Sequence, residues 1–183
     1  MGQTSRYRWR DFVALPEDDL RELLDGRLEA FDMPTKWHER MVAWLIMALG
    51  PWCERRGWAV LGSNYRVRIS DKRGVKPDVQ VLSEGTWGAA GEQGLESGRP
   101  ELVIEIVSPT SRAHDRVTKV NWYASIGVPE YWIVDADART LECLKLDGDT
   151  YRLAQNAAGD VVFKPRSFRG VSIDLAAFWR LRK

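Results

Sequence analysis

The sequence predicts an α/β or α+β fold: a mixed central β-sheet flanked by helices, with antiparallel hairpins at both ends. Strand and helix patterns alternate irregularly along the chain instead of separating into two blocks. Residues 102–107, Leu-Val-Ile-Glu-Ile-Val, are apolar on both faces apart from one acid, which is typical of a central buried strand. Turn signals at Asp25-Gly26 and Asp147-Gly148-Asp149 separate short alternating segments near the two ends.

Length and composition favour one domain over residues 1–183. A chain of 183 residues with 44% hydrophobic content can bury one core and is short for two ordinary domains. The net charge of +1 argues against a protein that coats nucleic acid by bulk electrostatics. Cys53 and Cys143 lack the spacing of a disulfide framework or a zinc ribbon. With no apolar run of membrane-spanning length, we expect a cytoplasmic protein without a membrane partner.

The N-terminal half predicts a hairpin, a long helix and a group of strands. Residues 8–25 predict one or two short helices before a strand, and Asp25-Gly26 predicts a turn into a second strand at 27–31. From the N-cap Thr35 to Trp52, apolar residues recur at helical spacing, and Gly50-Pro51 is expected to kink or end this helix. The later segments are predicted to form one meander; they are 58–61, 65–69, the turn 71–74 and the strand beginning at Asp78.

The sequence of the C-terminal half predicts a surface loop, a helix and further strands. Residues 83–100 are rich in Gly, Glu and Ser and have room for a short helix, but they lack the strand-to-helix context of a phosphate-binding loop. Asp115 is expected to cap a helix from Arg116 to Ile126, which Gly127 ends. The remaining predicted elements are strands at 131–135, 141–146, 151–153 and 161–163 and a helix at 174–179.

Two carboxylates lie in apolar segments where their charge needs compensation. Glu105 is in the central strand, and Asp78 begins another apolar strand. An unpaired buried carboxylate costs several kcal/mol, so it must be protonated, paired with a cation or bound to a metal. An arginine partner for Glu105 and a strand-start role for Asp78 after Pro77 are the simplest structural alternatives. Two acids on neighbouring strands, followed by Lys119 on a helix, favour a metal-dependent nuclease.

The chain resembles the Uma-type family of restriction endonucleases in the PD-(D/E)XK superfamily. The resemblance covers almost the whole chain and is carried by residues 21–26, Lys76-Pro77-Asp78-Val79, residues 103–109, Asp115, Lys119, Tyr123 and residues 127–135. The resemblance implies that Asp78 and Glu105 bind Mg²⁺ together with the carbonyl of Ile106. It also implies that Glu22 is a further ligand, either directly or through a metal-bound water.

The lysine of the superfamily motif is displaced in this chain. The motif places it two residues after the second acid, where this sequence has Val107. The family resembled here carries the lysine on the next helix, which implies that Lys119 fills this role. Its ammonium would orient water or stabilise charge in the transition state. Without the resemblance, Lys119 would be read as a helix lysine paired with Asp115.

The chemistry of phosphodiester hydrolysis agrees with this assignment. The reaction needs a divalent cation that neutralises charge on the phosphate and activates water. Carboxylate and carbonyl ligands suit Mg²⁺ or Mn²⁺, and the presence of only two histidines disfavours a His-rich zinc site. His38 is interpreted as a structural or supporting residue, and His114 is expected to have no role.

A basic cluster precedes Asp78 and is expected to contact DNA phosphates. Its members are Arg66, Arg68, Lys72, Arg73 and Lys76, and Asp71 is the only acid between the first and the last of them. An ordinary solvated face is the alternative interpretation.

Together these observations predict a Mg²⁺- or Mn²⁺-dependent endonuclease that cleaves DNA by direct attack of water. The alternative is a nuclease-fold module that binds nucleic acid or a protein without turnover, since a fold does not guarantee chemistry. A homodimer is expected to suit duplex cleavage because two symmetry-related sites meet the two strands. The sequence identifies no interface for such a dimer.

Overall fold

The computed structural model describes residues 6–30 and 33–181. Its helices are α1 (Trp9–Val13), α2 (Lys36–Glu54), α3 (Glu84–Ala89), α4 (Val120–Ser125) and α5 (Leu175–Arg180), with a π-helical segment (His114–Lys119) directly before α4. Its strands are β1 (Arg21–Leu24), β2 (Arg27–Ala30), β3 (Ala59–Gly62), β4 (Arg66–Ser70), β5 (Arg73–Val75), β6 (Val79–Leu82), β7 (Gly94–Leu95), β8 (Leu102–Val107), β9 (Glu130–Asp135), β10 (Thr140–Asp147), β11 (Thr150–Ala158), β12 (Val162–Phe163) and β13 (Ile173–Asp174).

A six-stranded mixed sheet forms the centre of the fold. Its strand order is β11-β10-β9-β8-β6-β3, with β8 and β9 parallel and the other neighbours antiparallel. Every residue of β8 is buried, as the apolar pattern on both of its faces predicts. The mixed sheet, the flanking helices and the hairpins near both ends confirm the predicted fold class.

Helix α2 covers one face of the central sheet. The backbone N–H of His38 donates to Thr35 Oγ1 at 3.2 Å, which confirms the predicted N-cap. The core-facing side chains of α2 include Met41, Leu45, Leu49 and Trp52, and they pack against residues of β6 and β8. The expectation that Gly50-Pro51 ends this helix is wrong, because α2 continues to Glu54. Pro51 is exposed, whereas the next residues, Trp52 and Cys53, are buried and hold the last turn in place.

A second sheet, with the order β2-β1-β5-β4-β7, packs on the other face. The Asp25-Gly26 turn between β1 and β2 is confirmed, and its residues have φ of 49° and 80°; Phe31, which was expected in β2, lies outside the described residues. The predicted meander is wrong, because β3 pairs with β6 in the central sheet while β4 and β5 pair in the second sheet. Val67 and Val75 are buried in the same apolar cluster as Val103 of β8, which holds the second sheet against this face. The chain therefore returns from the second sheet to the central sheet at Asp78.

The segment between β8 and β9 differs from the predicted capped helix. It begins with the π-helical segment and becomes α-helical at Val120. Asp115 lies inside the π-helical segment and its side chain is turned toward Lys119 instead of capping a helix. Gly127, with φ of 75°, follows the end of α4 as predicted. In the predicted surface loop at residues 83–100, α3 is the expected short helix and β7 is an additional strand.

Candidate active site

Asp78 and Glu105 meet at one end of the β6–β8 pair. Val79 lies opposite Ile104 in this antiparallel register, which places Asp78, one residue earlier, opposite Glu105. Val79 and Ile104 face the α2 core, so Glu105 faces away from α2. Asp78, directly before β6, contacts both β8 and His38 of α2. The backbone N–H of Ile106 donates to Asp78 Oδ2 at 2.7 Å. The two predicted acids and Ile106 are thus brought together.

Lys119 lies at the centre of a buried carboxylate cluster. Its Nζ is 3.1 Å from Glu105 Oε1, 3.3 Å from Glu22 Oε1 and 3.4 Å from Asp115 Oδ1. The hydroxyl of Tyr123 donates to the same oxygen of Glu105 at 2.6 Å. The lysine predicted for the next helix therefore contacts the predicted acid of the central strand.

The π-helical segment positions Asp115 and Lys119 in the interior. Both residues are buried, at 3% and 6% exposure, and the hydroxyl of Tyr131 donates to the backbone carbonyl of Asp115 at 3.1 Å. A π-helical turn holds one more residue than an α-helical turn, and such turns are frequent at functional sites. Where the segment is wound as a π-helix, the side chains of Asp115 and Lys119 point toward β8.

Glu22 reaches the cluster from the second sheet. It is buried in β1, and its Oε1 accepts the backbone N–H of Lys76 at 2.9 Å. Its Oε2 is 3.4 Å from His114 Nε2. Burial opposes ionisation of Glu22, but Lys119, His114 and the N–H of Lys76 outweigh it and lower the pKa of this carboxyl. Glu22 is therefore a negative charge on the side of Lys119 remote from the central sheet.

His38 approaches Asp78 from the first turn of α2. Its Nε2 is 3.1 Å from Asp78 Oδ2, and its Nδ1 is 3.6 Å from Glu39 Oε1. Burial favours the neutral ring, yet Asp78 and Glu39 outweigh burial and raise the pKa of His38. Asp78 lies directly before β6 and contacts residues of both α2 and β8.

The cluster holds three carboxyl groups around the single ammonium of Lys119. Burial raises the pKa of Glu105 well above its ordinary value, although Lys119 opposes the shift, and burial also raises the pKa of Asp115. Burial disfavours the charged ammonium of Lys119, but Glu105, Glu22 and Asp115 outweigh it and raise its pKa well above normal. An added cation would relieve the repulsion among these carboxylates.

The chemistry of this cluster fits a hard divalent cation. Carboxylate and carbonyl oxygens are the ligands that Mg²⁺ prefers, and Mg²⁺ keeps several waters while binding one or two carboxylates. Within residues 6–30 and 33–181, no three His, Cys, Asp or Glu side chains form a complete cage for a metal ion. A site with two carboxylates, a backbone carbonyl and water does not require such a cage.

The predicted basic cluster does not form one phosphate-binding surface. Arg66 is 1% exposed, and its guanidinium donates to the carbonyls of Leu15 and Pro16 at 2.9 and 2.8 Å. Lys76 is 8% exposed and donates to the carbonyl of Asp19. The assignment of Arg66 and Lys76 to a DNA surface is therefore wrong, since their charged groups are directed into the protein.

The other three members of the basic cluster remain closer to solvent. Lys72 is exposed. Arg73 Nε is 2.6 Å from Asp25 Oδ1, and Arg68 lies between acids, 3.9 Å from Asp71 and 3.7 Å from Glu96. Partnered arginines of this kind offer weaker attraction to phosphates than unpaired ones would.

The burial of Arg66 leads to a testable prediction. Arg66→Ala is expected to lower the free energy of unfolding by about 2–3 kcal/mol, because it removes the donor to two carbonyls and the packing of the side-chain stem. The salt dependence of DNA binding is expected to stay unchanged. Urea unfolding and a salt titration of oligonucleotide binding measure the two effects. A normal stability with a smaller salt dependence would restore Arg66 to the DNA surface.

Sequence reasoning gave neither Tyr123 nor His114 a role beside the acids, and it interpreted His38 only as a structural or supporting residue. Tyr123 follows Lys119 by four residues, so helical spacing alone could have placed both near Glu105. His38 and His114 are the two histidines of the chain, and each lies within 3.4 Å of an acid of the predicted site. The inward position of Asp115 had no local signal, because it depends on the π-helical winding.

Comparisons with known proteins agree with this architecture. The profile of the Uma2 family, described as "Putative restriction endonuclease", matches residues 9–176. A crystal structure from Anabaena variabilis, described as "a putative nuclease belonging to DUF820", superposes with a TM-score of 0.74 at 17% identity, covering 94% of this chain and 97% of that chain. No curated protein matches the sequence. Because the family profile spans most of the chain, the protein belongs to the Uma2 family and has a nuclease-like fold.

Proposed function

We propose that the protein is a metal-dependent endonuclease that hydrolyses DNA phosphodiester bonds. Asp78, Glu105 and the carbonyl of Ile106 would hold Mg²⁺ or Mn²⁺. The observation that carries this proposal is that Asp78 and Glu105 lie opposite each other at one end of neighbouring strands, with Lys119 3.1 Å from Glu105. Membership of the Uma2 family supports a nuclease-like activity.

The side chains around the acids have distinct roles in this proposal. When bound, the metal ion would neutralise charge on the phosphate and lower the pKa of water. Lys119 would orient the attacking water or stabilise the charge that develops on the phosphate. Glu22 and Asp115 hold the Lys119 ammonium close to Glu105. Tyr123 fixes the orientation of the Glu105 carboxyl through its hydroxyl.

The cluster also bears on the organisation of the protein. We propose that the chain acts as one domain, because Glu22 of the second sheet and Glu105 of the central sheet contact the same ammonium.

Cys53 and Cys143 are free and buried, which fits a reducing cytoplasm. None of the helices in the described ranges combines the length and apolar character needed to cross a membrane. Two-fold pairing of the protein would suit duplex cleavage.

A cleavage assay with a matched variant tests the proposal. We expect the wild type to cut plasmid or single-stranded DNA with Mg²⁺ or Mn²⁺ and to be inactive in EDTA. Asp78→Asn should lose activity by about 100-fold or more, because the amide loses the ligand charge. The variant still offers an oxygen to the N–H of Ile106, so its thermal unfolding should be close to wild type. Metal-independent DNA binding by both proteins, with cleavage by neither, would instead identify a binding module.

A further inference from the structure

An aromatic and basic surface lies on the first turn of α2. We define the α2 surface as Lys36, Trp37 and Arg40. Lys36 Nζ lies 4.3 Å from the centre of the Trp37 ring, and the guanidinium of Arg40 lies 5.7 Å from it. Lys36 and Arg40 are exposed and Trp37 is half-buried. An indole flanked by two cations offers a stacking face together with two phosphate-binding groups.

The α2 surface lies on the same helical turn as His38, which contacts one of the acids proposed to hold the metal. His38 directly follows Trp37, and its Nε2 is 3.1 Å from Asp78 Oδ2. A second partly exposed tryptophan, Trp87, lies on α3, which follows the opposite end of β6 from Asp78. Trp37 is therefore on the helix that contacts Asp78, whereas Trp87 follows the far end of β6.

The surroundings of Trp37 differ from those of other tryptophans on α2. Trp52 belongs to the core under α2, and Trp44 packs against that core. Arg56 lies 3.7 Å from the ring centre of Trp52, but that ring is buried, whereas Trp37 is half-buried and has two exposed cationic neighbours. Exposed cation–ring contacts are worth about 0.5–1 kcal/mol, so a nucleotide base can displace Lys36 from the ring at little cost. The released ammonium is then able to contact a phosphate.

We propose that the α2 surface binds an unpaired segment of a DNA strand beside the metal site. A base stacks on Trp37, and neighbouring phosphates contact Lys36 and Arg40. This inference rests on the proposed nuclease function and names its substrate class. Base faces are open to an indole only where the base is unpaired. The burial of Arg66 and Lys76 removes two charges from the surface that would otherwise grip a duplex.

Binding without cleavage provides the test. Fluorescence anisotropy in EDTA measures the affinity for a fluorescein-labelled oligothymidylate and for an abasic strand of equal length. Trp37→Ala should weaken oligothymidylate binding roughly tenfold, because base stacking contributes on this scale. The matched control Trp87→Ala should bind like the wild type. The abasic strand should bind wild type and Trp37→Ala equally, since it offers phosphates without bases.

Salt dependence separates stacking from charge. Trp37→Ala should leave the slope of log affinity against log salt unchanged. Lys36→Ala combined with Arg40→Ala should reduce the slope by about 1.4, because two phosphate contacts to a single strand are lost. Trp37→Phe, which keeps an aromatic face, should retain most of the affinity and shows whether an effect of Trp37→Ala reflects stacking or misfolding.

Several outcomes would overturn the inference. Equal oligothymidylate affinity of wild type and Trp37→Ala would do so, as would tighter binding of a matched duplex that is insensitive to Trp37. A change of oligomeric state in Trp37→Ala would instead make the α2 surface a protein interface. Metal-dependent cleavage that is unaffected by Trp37→Ala refutes only the proposed role of the α2 surface in binding DNA. Trp37-dependent binding by a wild type that cuts nothing refutes only the catalytic proposal.

Discussion

Lys119→Met is expected to lower the free energy of unfolding by about 3–5 kcal/mol, because it leaves buried carboxylates without their cation. Lys119 is 6% exposed and contacts Glu22, Glu105 and Asp115 within 3.4 Å. Methionine fills a similar volume, so the loss reports charge more than packing. Urea-induced unfolding at neutral pH measures the effect.

Two further variants control the Lys119 experiment. Lys164 is exposed, and Lys164→Met should change stability by less than about 0.5 kcal/mol. Adding Glu22→Gln to Lys119→Met removes one of the stranded charges and should recover part of the lost stability. A loss below about 1 kcal/mol for Lys119→Met would mean that the three carboxylates do not depend on this ammonium.

Glu105→Gln is expected to reduce metal-dependent cleavage by about 1000-fold, because the change removes a charged metal ligand and leaves a weaker amide. The amide oxygen still accepts the hydrogen bond that the Tyr123 hydroxyl gives to Oε1 in the wild type. The fold should therefore survive, and calorimetric titration with Mn²⁺ should show the loss of binding. Initial rates of cleavage of plasmid and of single-stranded DNA measure the catalytic effect.

Comparison with other substitutions separates ligand loss from misfolding. Glu105→Ala leaves the Tyr123 hydroxyl without its acceptor and removes a partner of Lys119, so it should cost about 1–3 kcal/mol of stability. Tyr123→Phe keeps the carboxylate and should lower activity by only about tenfold. If Glu105→Gln cleaved DNA as fast as the wild type, Glu105 would not be a metal ligand.

The central acids were predictable because their signal is local. A strand that is apolar on both faces lies inside a sheet, and a carboxylate within it must have a partner. This reasoning led to Glu105 and to a second acid, Asp78, on a neighbouring strand. The antiparallel pairing of β6 and β8 then places the two acids opposite each other at one end of the pair. The resemblance to a known family added Lys119, which the buried contact with Glu105 now supports.

The same local reasoning could not predict contacts between residues that are far apart in the sequence. The run of basic residues before Asp78 looks like a surface in the sequence, but Arg66 is turned inward by the carbonyls of Leu15 and Pro16. No local pattern reveals an acceptor about 50 residues away in the chain. The assignment of β4 and β5 to a second sheet likewise depends on where Val67 and Val75 find apolar partners.

The unexpected course of two helices has a similar cause. Pro51 is an unfavourable residue for a helix interior, but the burial of Trp52 and Cys53 after it stabilises the last turn of α2. The π-helical segment before α4 turns Asp115 and Lys119 into the interior, where Glu22 and Glu105 meet them. In both places tertiary contacts override the local preference.

Anomalous diffraction from crystals soaked in Mn²⁺ tests the shared cation site most directly. We expect one strong peak about 2–2.3 Å from carboxylate oxygens of both Asp78 and Glu105, with the carbonyl of Ile106 at a similar distance. Glu105→Gln crystals treated in the same way should lose this peak. A Mn²⁺ ion bound elsewhere, with no density between the two acids, would rule out the proposed metal site.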